Sequence, residues 1–416
     1  MFQMISRYHT DLLREMLEVF PVVAVVGPRQ VGKSTLVTQP EIGETRDYLS
    51  LDDITLRSVA QSDPKAFLSD RGNMTIDEVQ LAPGILREIK LLTDQHREAG
   101  RYLLTGSADL DHCAELSHVL AGRVGILRLP PLTFSECNRA RGWEHGFTAE
   151  SADGLDRVFE HEPAKPFDGE RLFQGGFPLS LNAGSDRARQ LWFESFQLTY
   201  LERDLRRISD ISNLADFHRL MQISAANTGT LLNQAHLGRD AGLNPVTTGR
   251  YLSVLEASLL IQRIPPFFSN IGKRFVKAPK LFWTDTGIAA HLAGFSTAEA
   301  LWNYPMARGR WFESFVMMEI QSLLPLLPFP ARLYHVRTRE GLEVDGLLEG
   351  GRRHRLFEIK ATRTPRPEDA EPMERWIRMN PGHGPGMIIH GGDSYRRLSE
   401  HVRAIPATLL FGSSEK

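Results

Sequence analysis

The chain has 416 residues, a length that predicts about two to four domains at roughly 150 residues each. Its 49 Lys and Arg nearly balance 51 Asp and Glu, and with 42 % hydrophobic and 24 % charged residues it cannot be mainly disordered, collagen-like or a disulfide scaffold. No apolar run approaches the ~18 residues a membrane helix needs, and the first residues, MFQMISRYHTDLLREML, are too charged for a secretory signal. Cys113 and Cys137 fit no zinc spacing, so a reducing, cytoplasmic setting is expected. The balanced total charge neither supports nor excludes a nucleic-acid partner.

In chain order, Ile5, Leu12, Leu13, Met16, Leu17 and Phe20 repeat at helical spacing, and Pro21 ends the pattern. Val22 to Val26 is a continuous apolar run of the kind buried on both faces of a parallel sheet. Shorter runs follow at Tyr48–Leu51, Met74–Ile76, Tyr102–Leu104 and Val124–Leu129, with helical patterns between several of them. This alternation predicts an α/β domain over 1–140. Gly142 to Lys165 is polar and rich in Gly, Glu and His, and 141–190 reads as a linker or insertion. Over 191–305, helical segments at Leu191–Ile208 and Leu214–Ala226 precede a helix-turn-helix rhythm broken at Ala241–Pro245. Strand-like runs at Leu259–Ile264 and Pro279–Trp283 then flank a basic loop, which together predict a winged-helix module. From 306 to 416 a helix around Trp311 leads into strand-like runs at Leu333–Val336, Leu342–Leu348, Arg355–Ile359 and Gly386–His390, a second α/β unit.

Gly27-Pro28-Arg29-Gln30-Val31-Gly32-Lys33-Ser34, followed by Thr35, matches the phosphate-loop pattern G-x-x-x-x-G-K-[ST] between a strand and a helix. Its glycines let main-chain N–H groups turn toward phosphate oxygens, Lys33 can reach the β- and γ-phosphates, and the Ser34 hydroxyl can ligate Mg²⁺. Asp77 and Glu78 close the Met74–Ile76 run. Asp77 would hold the metal and Glu78 would polarise the attacking water, provided both bend toward the nucleotide at the strand's end. Thr105 and Ser107 end the next strand, where they could sense the γ-phosphate or simply cap a turn. Arg123 could serve as an arginine finger in cis or on a neighbouring subunit of a homo-oligomer, or be an exposed structural residue.

These motifs resemble the AAA-type ATPases of bacteria and archaea that carry a C-terminal DUF4143 domain. GPRQVGKST, IDEVQ, LLTGS and LAGR match that family's form, as do GGFP at Gly175–Pro178, YLERDL at Tyr200–Leu205, WFESFV at Trp311–Val316 and Glu343-Val344-Asp345. The resemblance spans nearly the whole chain and implies an AAA-like site for ATP and Mg²⁺, formed by one chain or completed by a neighbour.

The loop RIPPFFSNIGKRFVKAPK carries Arg263, Lys273, Arg274, Lys277 and Lys280 and no acid, with phenylalanines interleaved. Beside a candidate recognition helix bearing Asn244, Thr247, Thr248, Arg250 and Tyr251, it could touch DNA phosphates. It fits a protein-interaction module or an ordinary solvated face as well. Further on, Asp345, Glu358 and Lys360 would share a sheet face if their strands pair, with Glu313 nearby on a helix. Carboxylates plus a lysine are the set phosphodiester hydrolysis uses, with metal on Asp345 and Glu358. The run resembles the PD-(D/E)xK nuclease fold, except that Val344 stands where that motif has proline. The resemblance implies Asp345, Glu358 and Lys360 as catalytic residues. The alternatives are a retained fold with a dead site, or surface charges in a hairpin. Three functions therefore stay open: a nucleic-acid-directed ATPase with nuclease activity, an ATP-gated regulator such as a toxin–antitoxin or defence component, and a protein-remodelling ATPase.

Overall fold

The structure is a computed structural model describing residues 5–69, 71–107, 116, 118–140, 142–204, 211, 213–268, 278–338, 341–350 and 353–412, without the side chains at 107, 201–204, 306 and 353. The helix His9–Val19 buries Leu13 and stops before Pro21, as its spacing predicts. Five strands follow: β1 (Val22–Gly27), β2 (Asp47–Ser50), β3 (Met74–Asp77), β4 (Tyr102–Ser107) and β5 (Val124–Arg128). They form one parallel sheet in the order β2-β3-β4-β1-β5. Strand alternation sends Val23 and Val25 into one apolar cluster and Val22, Ala24 and Val26 into another, so β1 is buried on both faces. Parallel strands place all their carboxyl ends at one edge. Gly27, Asp77 and Thr105 meet there.

The segment 141–190, expected as a linker or insertion, packs into the fold. Helices Trp143–Thr148 and Ala152–Phe159 dock on the C-terminal sheet. Asp156 takes Arg403 Nε at 2.6 Å and the Tyr395 hydroxyl at 2.5 Å, and Arg355 donates to the Thr148 carbonyl at 3.1 Å. Part of the polarity read as linker composition thus belongs to contacts with residues more than 200 positions away.

In the middle region, the helix Asp186–Phe196 runs into a π-helical stretch, Gln197–Asp204. Leu214–Ala226, Gln234–Asp240 and Pro245–Ala257 are also helical, the last two capped by Asn233 and Asn244. They pack with a small antiparallel sheet of β6 (Thr230–Leu231), β7 (Ile261–Ile264) and β8 (Lys280–Trp283), ordered β6-β8-β7. The helix Pro305–Leu323 leads into β9 (Ala331–Arg337), β10 (Glu343–Gly350), β11 (Arg353–Lys360), β12 (Gly386–His390), β13 (Arg396–Arg397) and β14 (Val402–Pro406). This mixed sheet is ordered β13-β14-β12-β11-β10-β9. The regions do not separate as beads on a string. One buried apolar cluster runs from Leu13 and Val23 through Phe173 and Phe193 to Trp311 and Phe357. Just after β7 the main chain pairs with β9: Phe267 N donates to His335 O at 2.7 Å and His335 N to Pro265 O at 3.0 Å.

Candidate nucleotide site and C-terminal charge cluster

Beyond Gly27 the backbone must reverse tightly before the helix Lys33–Val37 begins. Gln30 and Gly32 do this with φ of 64° and 97°. Lys33 is buried, and its ammonium donates to the carbonyls of Gly27 at 3.0 Å and Pro28 at 2.9 Å. Burial lowers its pKa from the ordinary 10.5 to about 8, against the pull of Glu78 and Asp77. Ser34 Oγ donates to Asp77 at 3.2 Å. Asp77 also accepts from the Tyr48 hydroxyl at 2.7 Å and from Thr105 Oγ1. The phenol of Tyr48 is pushed up by burial and by the Asp77 carboxylate. Glu78 adopts φ of 56°, a left-handed turn rare outside glycine, which breaks strand alternation and brings it to the cavity wall with Ser34. Gln80 donates to its carboxylate.

The loop opens into a cavity of about 690 Å³, a size that takes a small ligand. One set of wall residues, Arg29 to Leu36, Gln39 and Glu78, comes from the loop, the segment after it and the end of β3; a second, Ile5, Leu132, Pro178, Leu179 and Asn182, comes from elsewhere in the chain. Sequence reasoning missed this second set, although GGFP at Gly175–Pro178 marked its approach. The loop is also held from behind. Arg7 donates to Val31 O at 3.2 Å and Pro130 O at 2.7 Å, and pairs with buried Glu136 at 3.1 Å. From the middle region, Trp192 Nε1 reaches Gln30 Oε1 at 3.1 Å.

Arg123 lies elsewhere. It immediately precedes β5, at the amino ends of the strands, with its carbonyl accepting from Val22 N and its side chain paired with Asp94. The phosphate loop is at the opposite end of β1, so Arg123 cannot serve as a finger in cis; it would act only on a neighbouring copy.

Asp345, Glu358, Lys360 and Glu313 come together as the strand pairing predicts, because β10 and β11 are antiparallel with Gly346 opposite Phe357. Lys280 joins them. Its ammonium is 2.6 Å from Glu313 Oε1 and 3.3 Å from Asp345 Oδ1, while Lys360 is 2.8 Å from Glu358 Oε1. Main-chain Ile359 N–H donates to Asp345 at 3.0 Å, and Asp345 N–H to Glu358 at 3.2 Å. Burial, then the Asp345 charge, raises the pKa of both Glu313 and Glu358. Among the described residues no group of three or more His, Cys, Asp or Glu side chains is arranged to hold a metal ion. In this arrangement the Asp345 and Glu358 carboxylates, expected to hold a metal, are met by ammonium and main-chain amide partners. Of the residues expected on the basic loop, Lys280 pairs with these carboxylates and Arg263 faces Glu256 at 3.2 Å. Lys273, Arg274 and Lys277 lie outside the described residues. No described helix is long and apolar enough to cross a membrane.

Comparison with known proteins agrees with this architecture. An AAA domain matches residues 19–138, a domain of unknown function, DUF8612, residues 169–299, and another, DUF4143, residues 308–410. The uncharacterized proteins Mb2031c of Mycobacterium bovis and Rv2008c of Mycobacterium tuberculosis are each 32 % identical over 397 residues, covering 95 % of this chain and 82 % of theirs. Among solved structures, the Walker-type ATPase PABY2304 of Pyrococcus abyssi is 14 % identical with a TM-score of 0.41, covering 70 % of this chain and 96 % of its own. The RuvB Holliday junction branch migration motor of Thermotoga maritima is 18 % identical with a TM-score of 0.27, covering 66 % and 95 %. The chain belongs to the family of these mycobacterial proteins, and it carries an AAA domain with a P-loop ATPase fold followed by a C-terminal DUF4143 domain.

Proposed function

We propose that the protein binds ATP with Mg²⁺ in the 690 Å³ cavity and hydrolyses it, and that the nucleotide state sets the arrangement of the downstream regions. The observation that carries this reading is the 3.2 Å contact of Ser34, in the first turn of the helix after the loop, with Asp77 at the end of β3, beside a buried Lys33. Lys33 rests on two carbonyls of its own loop and is placed to exchange them for phosphate oxygens. Ser34 and Asp77 would hold Mg²⁺, which when bound neutralises phosphate charge. One hydroxyl and one carboxylate suit that ion, which keeps several waters and takes phosphate oxygens for the rest of its shell. Glu78 orients the attacking water and takes its proton as the water oxygen bonds to the γ-phosphorus and the bond to ADP breaks. Thr105 positions Asp77 and Glu78 by hydrogen bonds to the carboxylate of the first and the N–H of the second. Loss of the γ-phosphate removes contacts on the loop side of the cavity, which is how hydrolysis would act as a switch on a partner.

Phosphate release separates binding from chemistry. Glu78→Gln should bind ATP with near-parental affinity and turn over at least about a hundredfold more slowly, the usual scale for losing a general base. Unchanged turnover would remove Glu78 from the mechanism, and absent turnover in the parent under every partner condition would remove hydrolysis.

A further inference from the structure

The Gly175-Gly176 pair of the GGFP run has no place in phosphate chemistry, yet the structure leaves neither glycine room for a side chain. A Cβ on Gly175, which has φ of +67°, would lie 2.4 Å from Asp285 Oδ1; one on Gly176 would lie 2.4 Å from Leu132 O. The reason is a buried charge node where four segments meet. Asp285 accepts from Gly176 N–H at 2.6 Å and from Ile288 N–H at 2.8 Å. Arg171 Nη2 donates to Leu132 O at 2.7 Å, and Leu132 N–H donates to Gly176 O at 2.8 Å. Glu319, on the helix Pro305–Leu323, accepts from Phe134 N–H at 2.8 Å and from Ser135 N–H at 2.9 Å. Arg171, Asp285 and Glu319 are all under 10 % exposed. Arg171 Nη1 has no hydrogen-bond partner among the described residues, and its residue lines a cavity of about 40 Å³ shared with Asp285 and Glu319. That space accommodates a water bridging the guanidinium to a carboxylate.

We propose that Arg171, Asp285 and Glu319 are positioning residues for the nucleotide cavity, and that through them occupancy of the cavity is felt by the helix Pro305–Leu323. The inference rests on the nucleotide reading. Leu132, Pro178, Leu179 and Asn182 line the cavity, and the node holds the backbone at Leu132 through Arg171 and, two residues before Pro178, at Gly176 through Asp285. A ligand that draws the wall inward pulls on Gly176 and on the Leu132–Ser135 stretch. The second of these is tied by two main-chain hydrogen bonds to Glu319. Glu313 lies on the same helix six residues earlier, so the strain arrives beside the C-terminal charge cluster. Buried carboxylates on main-chain donors suit this task, because a buried acceptor drawn off its N–H donors leaves polar groups unsatisfied.

Hydrogen exchange on the full chain, with and without a non-hydrolysable ATP analogue and Mg²⁺, tests this. In the parent, nucleotide should slow exchange at 27–35, 174–182 and 305–323. In Glu319→Gln, which sets an amide NH₂ against a main-chain donor, protection at 27–35 should persist and that at 305–323 should vanish. Asp285→Asn should weaken nucleotide binding roughly tenfold, the scale of one charge-assisted hydrogen bond, while leaving 27–35 protected at saturation. Should Glu319→Gln not fold, Ser135→Ala removes the Ser135 hydroxyl, which donates to Glu319 at 3.0 Å, and should lower the 305–323 protection alone. Protection at 305–323 that survives these changes, or that the parent never shows, overturns the inference. No protection at 27–35 in the parent would overturn the nucleotide reading and this one with it.

Discussion

Removing the carboxylate of Glu136 should unfasten the phosphate loop from behind. Glu136 has no exposed side-chain surface, pairs with Arg7 at 3.1 Å and accepts from the N–H groups of Tyr8 and Thr133 at 2.9 Å each. Burial alone would raise its pKa, but Arg7, His9 and the Thr133 N–H outweigh burial and bring it from the ordinary 4.5 down to about 2. At roughly 1.4 kcal/mol per pH unit that difference corresponds to about 3 kcal/mol favouring the folded state. Breaking a buried ion pair by deleting one partner typically costs about 3–5 kcal/mol, an independent route to the same size. Glu136→Ala should therefore lose about 3–5 kcal/mol in urea unfolding at pH 7. Because the folded pKa is depressed, the contribution is complete above pH 4.5 and disappears as pH falls toward 2. The gap between parent and variant should narrow across that window. Arg7 also donates to Val31 O, so nucleotide affinity should fall several-fold in the same variant. A loss below about 0.5 kcal/mol, the range of ordinary surface substitutions, would refute this reasoning.

Nucleotide affinity should hold steady up to pH 8 and then weaken about tenfold per unit, because a Lys33 whose pKa sits at about 8 loses the ammonium that phosphate needs; a fluorescent-analogue titration from pH 6 to 10 reads this. Gly175→Ala should cost roughly 2–3 kcal/mol in urea unfolding through its φ of +67° and the Asp285 carboxylate in its way, whereas Gly32→Ala, with open space around it, should cost only the roughly 1–2 kcal/mol of its φ of +97°. Glu313→Gln should be mild at neutral pH. Burial and Asp345 raise the Glu313 pKa, so its stabilising contribution is complete below the ordinary 4.5 and lost as pH rises through the folded value. Urea midpoints should flatten with pH in the variant over that rise.

The sequence carried the nucleotide half of this fold unusually far. Val22–Val26 is apolar without alternation because both faces of β1 are covered, and the loop after it places a glycine at Gly32, where φ is 97°. Both signals are local. The convergence of Asp77 and Glu78 was legible only as a condition, since the left-handed turn at Glu78 that satisfies it has no glycine to announce it. The second set of wall residues was not legible, because Leu132 and Pro178 owe their place to Asp285 and Arg171, tens to more than a hundred residues away. The carboxylate partners of Lys280 were not legible for the same reason. In sequence it closes a basic loop, and only the packing of β8 against the helix Pro305–Leu323 sets it on Glu313 and Asp345. Charge in a sequence reports composition; its partner is decided by the fold.

Isothermal titration of ATP with Mg²⁺ into the parent and into Lys33→Ala tests the central claim most directly. The account predicts saturable heat with one site per chain in the parent and its loss, or at least a hundredfold weaker affinity, in Lys33→Ala. Absence of heat in the parent, or the same isotherm in both proteins, would contradict it.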